Sequence, residues 1–107
     1  MPEQKIIDII KELNQRIYEK FQDFKGVYLF GSRAKGDHKP DSDIDLVALF
    51  DEVNRDKTME IYDIISDLDF KYDVFIELFS YTQKGLGKNP VFYEEVVNKG
   101  YFYAIRA

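Results

Sequence analysis

Apolar side chains recur at three- and four-residue steps over the first part of the chain. Ile6, Ile9, Ile10, Leu13, Ile17, Phe21 and Phe24 form one stripe, with Lys5, Glu12, Gln15, Arg16 and Glu19 between them. This spacing predicts an amphipathic helix over residues 4–24, with Gly26 as its stop. Val27, Tyr28, Leu29 and Phe30 predict a short buried strand closed by Gly31. Ser32 then suits the first position of a short helix over 32–36. Pro40 and Asp41 mark a loop over 38–42. Residues 43–50 alternate: Ile44, Leu46, Ala48 and Phe50 share one face, and Asp43, Asp45, Val47 and Leu49 the other.

The second half repeats the scheme. Met59, Ile61, Tyr62, Ile64, Ile65 and Leu68 predict a helix over 55–67. Residues 71–79 alternate as a strand, with Tyr72, Val74, Ile76 and Leu78 on one face and Asp73, Phe75, Glu77 and Phe79 on the other. Gly85 and Gly87 suggest a loop over 81–88. Asn89-Pro90 starts a helix over 90–98, ended by Gly100. Residues 101–105 predict a last strand. The pattern implies an α/β domain spanning 1–107, with a small mixed sheet of three to four strands and helices packed on it.

Composition narrows the function. The 107 residues fit one compact domain, and 45% hydrophobic with 33% charged residues reads as globular. No run approaches the ~20 apolar residues of a membrane span. No apolar secretory core opens the chain, so a cytoplasmic protein is expected. Without cysteine there are no disulfides or thiolate metal sites, and one histidine, His38, excludes a His-rich zinc site. Twenty acidic residues against 15 basic give a net charge of -5. Sustained binding to long nucleic acid is therefore not expected, although Arg33, Lys35 and Lys39 form a local basic group.

The chemistry concentrates in residues 31–45. Side chains at i and i+2 of a strand point the same way, ~6.5 to 7 Å apart, so Asp43 and Asp45 can project side by side. Magnesium prefers such carboxylate oxygens together with phosphate oxygens. With a third carboxylate from a neighbouring strand they can hold two ions ~3.5 to 4 Å apart. An Asp-x-Asp alone is common and more often just closes a strand end. Gly31-Ser32 strengthens the functional reading. A strand ending there and opening a helix offers free backbone N–H groups and a hydroxyl to phosphate oxygens. Arg33 and Lys35 add positive charge. The Walker A pattern is absent. His38 reads as a solvated loop residue.

Gly31-Ser32, ten intervening residues, then Asp43-x-Asp45 resembles the minimal nucleotidyltransferases of the polymerase-beta-like superfamily. Tyr72-Asp73-Val74 matches that family's later hydrophobic-Asp-hydrophobic strand, and the aromatic segments before and after Gly100 match its C-terminal pattern. The resemblance covers nearly the whole chain. It implies transfer of a nucleoside monophosphate from a nucleoside triphosphate, AMP from ATP being favoured, with two Mg2+ ions. Asp43, Asp45 and Asp73 would be the catalytic metal ligands, and Gly31, Ser32, Arg33 and Lys35 the nucleotide-binding residues. Asp73 and Glu77 lie ~13 Å apart along one predicted strand, so only one can reach the ions. The family position favours Asp73 and leaves Glu77 as a solvated strand residue.

So short a chain leaves little room for an acceptor-binding domain. The acceptor site is expected to be shallow, shared with another subunit of a homo- or hetero-oligomer, or part of a protein substrate. The resemblance favours a HEPN-type helical toxin partner, carrying the acceptor tyrosine, with this chain as the antitoxin. The alternatives are a two-component transferase modifying a small molecule, and a non-catalytic inhibitory module. Tyr81, Phe92, Tyr93, Tyr101 and Tyr103 are more aromatics than a small surface needs, so a partner interface among them is expected. No residue selects the nucleotide base.

Overall fold

The computed structural model of the chain describes residues 2–36, 39 and 41–105, so His38 lies outside it. The stripe of isoleucines forms helix α1 (Gln4–Lys20), which buries Ile6, Ile9, Ile10, Leu13 and Ile17. It ends earlier than its apolar spacing predicts, because Phe21 turns extended. Phe24 joins the core from strand β1 (Phe24–Phe30) rather than from the helix. Gly26 is therefore no helix stop. It lies within β1 at φ +134, beside a shift in strand register, and a Cβ there would run into the Tyr103 carbonyl. Only glycine admits that close approach.

Helix α2 (Ser32–Lys35) follows, then β2 (Ile44–Phe50), α3 (Arg55–Tyr72) and β3 (Ile76–Tyr81). The N-terminus of α3 is capped by the Asn54 side chain, which accepts from Lys57 N–H at 2.9 Å. The helix runs past the predicted residue 67, because Tyr72 continues the buried positions Ile61, Ile64, Ile65 and Leu68 one turn further. Residues 71 and 72 are thus helical, and the strand starts only at Ile76. The expected loop over 81–88 contains a helix, α4 (Gln83–Gly87), with Thr82 as its cap and Leu86 buried. Helix α5 (Pro90–Tyr93) passes into a π-helical turn over Glu94–Asn98, and β4 (Tyr101–Ala104) closes the chain.

The four strands lie in the order β3-β2-β1-β4. β1 is antiparallel to both β2 and β4, and β2 is parallel to β3. One face of the sheet packs against α1 and α3 through Ile44, Leu46, Ala48 and Phe50. The other packs Val47 and Leu49 against Leu86 and Val96, with Phe30, Tyr81, Phe92 and Tyr93 around them. This is the alternation read from β2. Four of the five aromatics expected at an interface pack against these two clusters instead, and Tyr101 alone of the five is exposed. Among the described residues, no helix is long and apolar enough to cross a membrane.

Candidate active site

The site lies where β1 ends and β2 begins, on the sheet face away from α1. Gly31 has φ +75, a conformation that side chains rarely adopt, and a Cβ there would overlap the Asp45 carboxylate. Gly31 thus brings the main chain directly against Asp45. Its carbonyl accepts from Ala34 and Lys35 N–H, both at 3.2 Å. Ser32 opens α2 with neither its N–H nor its hydroxyl bonded to another described group. Four residues are too few for a strong helix dipole. The N–H and hydroxyl of Ser32 are what this turn offers a phosphate.

Asp45 pairs in register with Phe30 of β1 on one side and with Glu77 of β3 on the other. Adjacent parallel strands turn register-matched side chains to the same face, so Asp45 and Glu77 stand side by side. Asp43 precedes Asp45 by two positions on that face. Burial, then the charges of Glu77 and Asp43, raise the Asp45 pKa above the ordinary carboxylate value. Asp69 is also raised, by burial first, with Asp43 adding to it. Among the described residues, none of Asp43, Asp45 and Glu77 has an ion pair or side-chain hydrogen bond. Unpaired carboxylates crowded on one sheet face, beside a turn that can take phosphate, suit divalent cations. They form an open row, since among the described residues no three His, Cys, Asp or Glu side chains are drawn into a ready metal cage.

Of the other predicted site residues, Arg33 and Lys35 follow Ser32 on α2, and Asp73 lies on another element. Asp73 caps the C-terminus of α3 in the left-handed conformation, φ 52, and borders a different cleft shared with Arg33, Asp41 and Ser42. The structure does not bring it into the row, and Glu77 takes the position expected of it. The helical spacing from Ile61 through Leu68 to Tyr72 was the signal that α3 continues and that the strand must start later. Arg33 is buried, not turned to phosphate. Its guanidinium donates to the Ser42 carbonyl at 3.0 and 3.2 Å and to Glu3 at 3.2 Å. It thereby holds the residue just before Asp43. Lys35 is half-exposed and pairs with Glu95 at 3.2 Å.

The family described as Polymerase beta, Nucleotidyltransferase matches residues 4–100. The chain belongs to this family. It is a nucleotidyltransferase, and Asp43 and Asp45 beyond Gly31-Ser32 carry the central motif that marked the resemblance. The chain is 37% identical over 97 residues to "Putative protein adenylyltransferase MJ0141" of Methanocaldococcus jannaschii, which covers 89% of this chain and 95% of the relative. Among solved structures it resembles a toxin–antitoxin with AMP-PNP at TM-score 0.61 and 21% identity, over 86% of this chain and 70% of the other. It also resembles a complex of tri-AMPylated Shewanella oneidensis HEPN toxin with MNT antitoxin, at TM-score 0.50 and 20% identity over 86% and 70%. At those identities the two structures establish the shared fold.

Proposed function

We propose that this nucleotidyltransferase moves AMP from ATP to a protein hydroxyl, a tyrosine of a HEPN-type helical toxin, and so serves as its antitoxin. The observation that carries this reading is the unpaired row of Asp43, Asp45 and Glu77 beside Ser32, in a chain 37% identical to a relative named for protein adenylyl transfer. The AMPylated HEPN toxin found with an MNT antitoxin supports the choice of partner. Residues 1–107 would act as one domain in the cytoplasm.

In this account Gly31 and Ser32 hold the triphosphate tail, and Lys35 adds charge once it leaves Glu95. Asp43, Asp45 and Glu77 would hold two Mg2+ ions. When bound, these ions neutralise charge on the phosphates and acidify the attacking hydroxyl. Glu77, on the outermost strand of the row, accepts the proton of the acceptor hydroxyl. The acceptor oxygen bonds to the α-phosphorus, the bond to the β-phosphate breaks, and pyrophosphate leaves. Arg33 acts as a positioning residue by fixing Ser42 ahead of Asp43.

The test is incubation with magnesium, α-labelled ATP and a HEPN-type partner protein. Label on a tyrosine of that partner is expected, and none with Asp43→Asn plus Asp45→Asn. Neutralisation of the partner that survives the double substitution would make the chain a stoichiometric inhibitor instead.

A further inference from the structure

The strand order lays the reaction out across the sheet. Gly31 and Ser32 lie on the β1 side of Asp45, Glu77 lies on the β3 side, and β3 is the outermost strand. In-line displacement brings the incoming oxygen in opposite the leaving pyrophosphate. With the tail at Ser32, the acceptor must arrive over Glu77, across the outer edge of β3.

That edge is open for pairing. Ile44 N–H donates to the Phe75 carbonyl at 2.9 Å. In a parallel ladder this turns the backbone groups of Phe75, Glu77 and Phe79 toward β2, and those of Ile76, Leu78 and Ser80 outward. The first outward N–H, on Ile76, is already taken by the Asp69 carboxylate at 2.9 Å. Those of Leu78 and Ser80 face no strand and no described acceptor. A cleft of about 210 Å³ runs beside them, lined by Tyr62 of α3 and by Leu78, Phe79 and Tyr81. Apolar side chains line it in the open, with Tyr62 54% and Phe79 39% exposed. Strand β3 carries none of the lysines or prolines that usually blunt an edge.

We propose that the outer edge of β3 binds an extended segment of the protein substrate as an added strand, paired at Leu78 and Ser80. Side chains of an added strand alternate between faces. The acceptor residue then stands over Glu77, and its apolar neighbour enters the cleft beside Tyr62. This inference rests on the transferase reading above, and it assigns the acceptor to an exposed, strand-forming segment.

The probe is an N-acetylated, C-amidated Lys-Val-Tyr-Val-Lys peptide, given to the full chain with magnesium and α-labelled ATP. Label on its tyrosine and slowed amide exchange at Leu78 and Ser80 are expected. N-methylating one alternating set of peptide amides should remove both effects, and methylating the other set should not. Ser80→Pro and Tyr62→Asp should each lower kcat/KM for the peptide about tenfold, with the Kd for ATP unchanged within about twofold. Label transfer undiminished in both variants, without protection of the two amides, overturns the inference. Absence of both effects also overturns the inference, while label on a HEPN-type partner protein, measured in parallel, decides the transferase reading separately.

Discussion

Gly31 and Asp45 constrain each other. Replacing Gly31 by alanine meets both an unfavourable positive φ and the Asp45 carboxylate. Gly31→Ala should cost about 1–2 kcal/mol and remove most transfer activity. Calorimetry and a pyrophosphate-release assay would show this, and an unchanged Tm would contradict the contact. Asp45 is partly buried and stands near the like charges of Glu77 and Asp43, and folding therefore disfavours its ionised form. Its raised pKa makes it a net cost to the metal-free fold at neutral pH. Asp45→Asn relieves that cost and should raise Tm in chelator by about 2–4 °C, solvent screening keeping the gain small. The same variant should lose transfer by at least about 100-fold. A fall in Tm would mean that the carboxylate has a stabilising partner.

The elements carry two further outcomes. Asp73 ends α3 in a left-handed conformation that glycine adopts more freely. Asp73→Gly should stabilise the fold by about 0.5–1 kcal/mol and leave transfer intact. Lost transfer in that variant would return Asp73 to the metal site. Helices α1 and α3 are clasped by Glu12, which accepts from the Tyr72 hydroxyl at 2.6 Å and from Lys71 at 2.9 Å. The Tyr72 hydrogen bond first, then that of Lys71, lowers the Glu12 pKa. A depressed carboxylate stabilises above its unfolded pKa and loses that contribution as pH falls, here from about pH 4 downward. Glu12→Gln should flatten this limb of a Tm–pH profile, and a profile that keeps its slope would exclude the clasp. These elements also show what the pattern of side chains makes legible. The isoleucine stripe and the alternation of β2 define α1 and both faces of the sheet, because burial there repeats with a clean period. The α3–β3 junction reads two ways, since Tyr72, Val74 and Ile76 satisfy a strand period while Leu68 and Tyr72 satisfy a helical one. Packing of Leu68 and Tyr72 on the α1 side decides for the helix. Gly26 misleads for a similar reason: strand register and helix stop both use glycine.

At the scale of the whole molecule, pairing β2 parallel to β3 puts Glu77 beside Asp45. No local period encodes that neighbour relation, and so the motif Gly31-Ser32 to Asp45 was readable in sequence while the carboxylate beside Asp45 was not. On the proposed reading, the same strand order separates the phosphate turn from the acceptor side and gives the transfer a direction across the sheet. On the proposed reading, Glu77 rather than Asp73 completes the carboxylate row. The most direct measurement is α-labelled AMP transfer by Glu77→Gln and Asp73→Asn side by side, with magnesium and the same HEPN-type partner protein. A loss of at least about 100-fold is expected for Glu77→Gln, with near-unchanged transfer for Asp73→Asn. Transfer that survives Glu77→Gln and is lost with Asp73→Asn would contradict it.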